Sequence, residues 1–329
     1  MTIIGIESLI YGVDDVAEST RFFEDFGLPL VETFDGMSLF RLDEGSHIVI
    51  RHKNDPDLPA SVLPCTGVRA VVWGVDSQSE LDKLATSLGT DRDLVRDADG
   101  TIHFATDFGL PMGLRVFAKK AVTSAPDPVN APGHVRRLNQ PRKWRLRARP
   151  KVIAHVVFAL PDHEAASQFM IDRLDFRLSD NQRGVGMYLR ADGTHNHHNL
   201  LLLNANAPFP DMDGTMRFHH ANFGVEDIDE IMTGANHMVR QGWEASHLGL
   251  GRHRIDSALF YYLPCPAGGE AEYGADGDYV DDSWVPRDWT NPLFGYASFV
   301  HNLPDFLMRP PSWGVQHITG IEPSHGEDH

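Results

Sequence analysis

Four stretches of the chain can be laid over one another without a gap: IESLIYGVDD from Ile6, VRAVVWGVDS from Val68, IAHVVFALPD from Ile153 and FHHANFGVED from Phe218. Each is an apolar run of strand length that ends on Asp or Ser, residue types that start helices. A segment of helical period follows each one, over 16–26, 79–88, 162–173 and 227–241, and short strands follow the helices. The strands expected are 3–13, a run up to 34, 38–42 and 47–52 in the first copy, and 67–75, 101–105 and 113–117 in the second. The third copy has 152–160, 186–190 and 198–203, and the fourth 217–225, 257–263 and 270–273. A unit repeated in this way cannot bury its apolar face alone, so the copies must pack on one another. Four tandem βαβββ modules are the frame of the chain.

A length of 329 residues suits two domains, and the place where the repeat is interrupted says where they divide. The run RRLNQPRKWRLRARP, Arg136 to Pro150, has no periodicity and many breakers, and reads as part of a linker. The expected division is an N-terminal domain over 1–120, a linker over 121–150, a C-terminal domain over 151–275 and a tail over 276–329. The tail, rich in Trp, Pro and Phe, is expected to be an irregular segment lying over the domains, with a frayed polar end from Ser324. The net charge of −17 argues against nucleic acid and anionic membrane as partners, so the basic linker is expected to pair with acidic surface of the chain itself. No apolar run approaches the roughly 20 residues that span a bilayer, and the N-terminus carries no signal pattern. Two cysteines, Cys65 and Cys265, make neither a disulfide framework nor a thiolate zinc site, which suits a reducing cytoplasm.

The repeats allow one position to be compared four times. The central residue of the first strand is Ser8, Ala70, His155 and His220. Two copies offer a metal-binding side chain there and two do not. In the last module, PAGGEAEYG forms a turn and a short strand on which Glu270 and Glu272 share a face. An inward carboxylate is costly unless a charge or metal meets it. Glu272 lies four residues after Gly268, whereas in the second module Gly113 lies four after Gly109. The first half therefore reads as metal-free and the second as metal-binding, with His155, His220 and Glu272 as ligands. Two imidazoles and one carboxylate on one face of a metal leave neighbouring positions open, as non-heme Fe(II) oxygenases require. His219 competes with His220, and the repeat register favours His220, which shares strand parity with His155.

The motifs HHANFGVED, THNHHNLLL, GRHRIDSALFYY and PAGGEAEYG resemble those of type I extradiol ring-cleaving dioxygenases of the vicinal oxygen chelate superfamily. The repeat order matches over the whole chain, the specific motifs over the second half. The resemblance implies an α+β fold in which paired βαβββ modules close into two open barrels, the first empty and the second around a metal. It implies O2-dependent cleavage of a catechol-type diol, Fe(II) or Mn(II) on His155, His220 and Glu272, and His198 as the acid–base histidine. It further implies that His253 hydrogen-bonds oxygen or the substrate, that Tyr262 (with Tyr261 on the other face) meets a substrate hydroxyl, and that Asp256 orients these groups. Assembly into a homo-oligomer is also a family expectation. His195 and His197 read as a solvated polar turn after Asp192 and Gly193. Ile255 stands where relatives often have Asn, which puts hydrogen bonding near His253 in question. Arg190 and Arg217 read as surface arginines that could instead meet a substrate carboxylate. Alternatives on the same scaffold are a Mn(II) dioxygenase, a glyoxalase-like isomerase and a metal-free binding module.

Overall fold

The last residue of each aligned stretch turns out to be a helix N-cap. In the computed structural model, which describes residues 2–34, 36–60, 62–63, 66–209, 212–290 and 295–308, Asp15, Ser77, Asp162 and Asp227 each accept a hydrogen bond from the backbone N–H three residues on. These bonds satisfy one donor at the start of each of four helices: α1 (Val16–Phe26), α2 (Gln78–Leu88), α3 (His163–Leu174) and α4 (Ile228–Arg240). Gly27 closes α1 in the left-handed conformation, as its position after the apolar stripe suggests.

The first half contains β1 (Ile3–Val13), β2 (Leu30–Phe34), β3 (Met37–Arg41), β4 (His47–His52), β5 (Gly67–Val75), β6 (Val95–Arg96), β7 (Ile102–Ala105) and β8 (Pro111–Val116). They form one sheet in the order β2-β3-β4-β1-β5-β8-β7-β6. The second half contains β9 (Val152–Leu160), β10 (Arg177–Gln182), β11 (Gly186–Arg190), β12 (Leu200–Asn204), β13 (Arg217–Gly224), β14 (Gly251–Arg252), β15 (Leu259–Pro264) and β16 (Glu270–Ala275). With β17 (Arg287–Trp289) and β18 (Phe299–Val300), these run β17-β10-β11-β12-β9-β13-β16-β15-β14-β18. In both sheets the first strands of two modules, β1 with β5 and β9 with β13, pair antiparallel at the centre. The fold is α+β, built from four βαβββ modules.

The tail differs from expectation. Its described part supplies β17, parallel to β10, and β18, antiparallel to β14, so it covers both edges of the larger sheet. Strands of three and two residues are too short to show alternation. β10 was also not expected, because RLSDNQ places polar Ser179, Asp180 and Gln182 inside. The end from Ser324 lies outside the described residues.

One apolar cluster runs through both halves. Phe26 stacks on Tyr273 at 4.0 Å, and the Tyr273 hydroxyl donates to the Phe26 carbonyl at 2.7 Å. This locks α1 onto β16, the strand that carries Glu272. Buried Glu44 accepts from the Ile153 backbone at 2.9 Å, tying β9 to the first half. The linker's cations meet acidic residues before and in α4: Arg142 pairs with Asp229, Lys143 with Glu226, and Arg145 with Glu226 and Asp227.

Candidate metal centre

Three neighbouring strands, β9, β13 and β16, carry His155, His220 and Glu272. Asn222 is the registration point, lying opposite His155 on one side and beside Glu272 on the other. His220 sits two residues earlier, opposite Val157, just after a register slip between Phe218 and His220. The extra residue of that bulge is His219. The slip gives the two adjacent histidines different surroundings, so that His220 is buried and His219 only partly so.

The His155 and His220 Nε2 atoms lie 3.2 Å apart, and Glu272 Oε2 lies 3.3 Å from each. First-row divalent ions bind imidazole and carboxylate at about 2.1 Å, and two such bonds at right angles put their donors roughly 3.0 Å apart. A nearly equilateral triangle of this size is a one-sided ligand set with the opposite side open. Glu272 is fully buried, and neither of its carboxylate oxygens has a hydrogen-bond partner despite the ion-pair distances. A buried, orphaned carboxylate beside two imidazole nitrogens fits a cation.

The ionisation states agree. Burial lowers the His220 pKa to about 3, outweighing the pull of Glu272, so its imidazole is neutral. Burial would raise the Glu272 pKa, but the neighbouring His155 and His220 outweigh it and hold the carboxyl well below its ordinary value. Neutral imidazole and ionised carboxylate are the donor forms a metal needs.

His198 precedes β12 in a loop rather than lying within a strand. Its ring stacks on His155 at 4.2 Å, and Tyr188 meets it edge-on at 5.0 Å. Burial, with added repulsion from His155 and other histidines, keeps its pKa well below the ordinary value, so the ring can accept a proton. Asp256 is buried with Oδ2 3.8 Å from His198 Nδ1, within ion-pair range and beyond a hydrogen bond.

His253 Nδ1 meets the Tyr296 carbonyl at 2.6 Å and its Nε2 meets the Tyr262 hydroxyl at 2.9 Å. A carbonyl can only accept, so Nδ1 carries a proton, and a ring holding that one proton accepts from Tyr262 through Nε2. His253 thus holds Tyr262 rather than offering its own N–H to the cavity. Tyr261 lies in the apolar core. His155, His198, His220, His253 and Tyr262 line a cavity of about 1000 Å³, together with the apolar side chains of Val185, Leu201, Leu203, Phe209, Ile255 and Phe306. Ile255 packs in an apolar cluster with Trp289. Arg217 also lines the cavity and pairs with Asp213, whereas Arg190 is buried and tied to Asp282 and the Thr194 carbonyl. The surface reading of Arg190 is corrected.

The turn expected to be solvated is so only in part. His195 is exposed. His197 is buried, with Nε2 3.1 Å from Asp180 Oδ2 and Nδ1 3.2 Å from His198 Nδ1. Asp180 is fully buried and also held by Arg287 through the backbone N–H at 2.8 Å and through its guanidinium. Burial would raise the Asp180 pKa, but His197 and Arg287 outweigh it and hold it below the ordinary value. The doubled histidine in HNHHN was the only signal for His197. Nothing local marked Asp180 or Arg287, which are separated by 107 residues.

No family model matches the chain. Metapyrocatechase 2 of Cupriavidus necator is 28% identical over 307 residues, covering 90% of this chain and 89% of the relative. Biphenyl-2,3-diol 1,2-dioxygenase of Paraburkholderia xenovorans (strain LB400) is 27% identical over 312 residues, 91% of this chain and 96% of that one. An iron-dependent extradiol dioxygenase of Rhodococcus jostii (strain RHA1) is 31% identical over 168 residues, 47% of this chain and 53% of the relative. Among solved structures, the Mn(II)-bound glyoxalase of Novosphingobium aromaticivorans matches 94% of this chain and 96% of its own with a TM-score of 0.71 at 20% identity. A halotolerant catechol dioxygenase matches 98% and 97% with a TM-score of 0.67 at 17% identity. At such identities the structural neighbours show the fold, and no described helix is long and apolar enough to cross a membrane. Along nine-tenths of its length the chain is thus similar to a metapyrocatechase and a biphenyl-2,3-diol 1,2-dioxygenase, and it shares its fold with a solved glyoxalase and a solved catechol dioxygenase.

Proposed function

We propose that the protein cleaves the ring of a catechol-type diol beside its two hydroxyls, using O2 and one Fe(II) held by His155, His220 and Glu272. The carrying observation is the triangle of donor atoms, 3.2 to 3.3 Å on a side, around an orphaned buried carboxylate. The named relatives act on aromatic diols, and one is iron-dependent; Mn(II) accepts the same donors. When bound, the ion supplies a template on which diol and O2 meet and a path for electrons between them.

The chain's own residues do the rest. His198, neutral and buried against His155, would accept a proton from the diol and return it to an oxygen atom later in the reaction. Tyr262 donates to His253, so its oxygen lone pairs are free to accept from a substrate hydroxyl. The apolar side chains of Val185, Leu201 and Leu203 exclude water and suit an uncharged ring substituent, since Arg217, which lines the same cavity, is already paired with Asp213. The first half, with Ser8, Ala70 and Gly113 at the matching positions, has no such ligand set and serves as a metal-free support.

The test is metal analysis of anaerobically purified protein together with oxygen uptake and yellow product on a panel of catechols. About one iron per chain and one O2 consumed per ring opened is the expected result. Iron-loaded protein that consumes no O2 with any diol sinks the proposal and leaves an isomerase on the same scaffold.

A further inference from the structure

The chain Arg287, Asp180, His197, His198 is continuous, with Asp180, His197 and His198 buried and Arg287 partly so, and it meets the ligand triangle where His198 stacks on His155. Each link constrains the next. Asp180 only accepts while ionised, and Arg287 faces both of its oxygens, holding it in that form. Arg287 already balances the Asp180 charge, and a His197 that holds a single ring proton places it on Nε2, which faces Asp180 at 3.1 Å. Its Nδ1 is left with a lone pair directed at His198 Nδ1, 3.2 Å away. Two lone pairs cannot face each other at that distance, so His198 carries its proton on Nδ1 and leaves Nε2 bare.

We propose that Asp180 and His197 are positioning residues that fix His198 as the Nδ1–H tautomer, making Nε2 the atom that takes the substrate's proton. This rests on His198 acting as acid–base group. Asp256 cannot substitute, because its nearest oxygen is 3.8 Å from the same nitrogen and its other oxygen accepts from the Ala258 backbone. A second metal on His197, His198 and Asp256, whose donor atoms also lie close together, is the poorer reading. Two of those nitrogens already face each other in a hydrogen bond, and His197 spends its remaining nitrogen on Asp180.

Asp180→Asn tests the relay with little change of shape. Arg287 would take the amide oxygen, and the amide N–H₂ would donate to His197 Nε2. The proton of His197 would move to Nδ1, and that of His198 to Nε2, removing the base. An equivalent amide swap behind a catalytic histidine in serine proteases costs about 10⁴-fold in kcat, and loss of a supporting partner at metal sites typically costs 10- to 100-fold. The expected fall in kcat is about 100-fold, with KM changed by no more than about threefold. The decisive readout is independent of activity: ¹⁵N histidine NMR of the metal-free protein. Wild type should show His198 protonated at Nδ1 and bare at Nε2, and Asp180→Asn the reverse. Wild-type His198 protonated at Nε2 overturns the proposal even if the variant does not fold. A folded variant with unchanged kcat overturns it as well, whereas a wild type that cleaves no diol overturns only the function.

Discussion

Single atoms decide the chemistry. Glu272 has two buried oxygens without hydrogen bonds, so the folded chain gains most when a cation arrives. Fe(II) at 100 times its Kd should stabilise the wild type by about 2.7 kcal/mol, read as a shift in an anaerobic urea melt. In Glu272→Gln, which keeps the shape and removes the charge, that shift should largely vanish at the same concentration. Equal shifts in both proteins would show that the ion binds elsewhere. Tyr262 contributes through one hydroxyl held by His253 at 2.9 Å. Removing it in Tyr262→Phe should lower kcat/KM by about 10- to 100-fold, the equivalent of roughly 1.5–3 kcal/mol for a hydrogen bond to a developing charge. Unchanged kcat/KM would mean the phenol only packs. The repeat comparison made the three candidate ligands legible, because each could be set against a copy that lacks it. His197 could not be read that way: beside the Asp192-Gly193 turn its sequence context looks wet, and only the return of β10 and the tail makes it dry.

At the scale of elements, the β15–β16 hairpin sets where Glu272 points. Gly268 sits in its turn at φ 105°, where a Cβ would lie 2.4 Å from the Thr66 carbonyl oxygen. Gly268→Ala should therefore cost about 1–3 kcal/mol in urea unfolding, and iron affinity should fall with it, because β16 begins two residues later. A neutral substitution would show that the turn can shift without moving the strand. The N-caps and helix ends were readable locally, since Asp15, Ser77, Asp162 and Asp227 act on their own next three residues. The bulge at His219 was not, because it exists only as a mismatch between two strands. β17 and β18 were hidden for the same reason: a strand of two or three residues is defined by its partner.

For the whole molecule, the linker is clasped rather than loose. Burial would raise the Glu226 pKa, but Lys143, the Ala125 N–H and Arg145 outweigh it and lower it from 4.5 to about 2. A carboxyl with a depressed folded-state pKa contributes stability that is complete above its ordinary value and lost as pH falls through the folded one. The clasp should accordingly be intact at pH 7 and weaken between pH 4.5 and about 2. Urea midpoints of wild type and Glu226→Gln should differ at neutral pH and converge across that window. A gap that stays constant down to pH 2 would assign the effect to packing instead.

The linear sequence by itself determined the modules, their caps and the interruption between halves, and it singled out His155, His220 and Glu272 as candidate ligands, because repetition turns one chain into its own set of comparisons. Only the tertiary structure decided which nitrogen of each histidine faces which partner, that His253 holds Tyr262, and that Asp180 and Arg287 stand behind His198. Apart from the adjacent pair His197 and His198, those contacts join residues from nine to 107 positions apart, and a hydrogen bond of 3 Å is set by the register of strands, not by spacing along the chain.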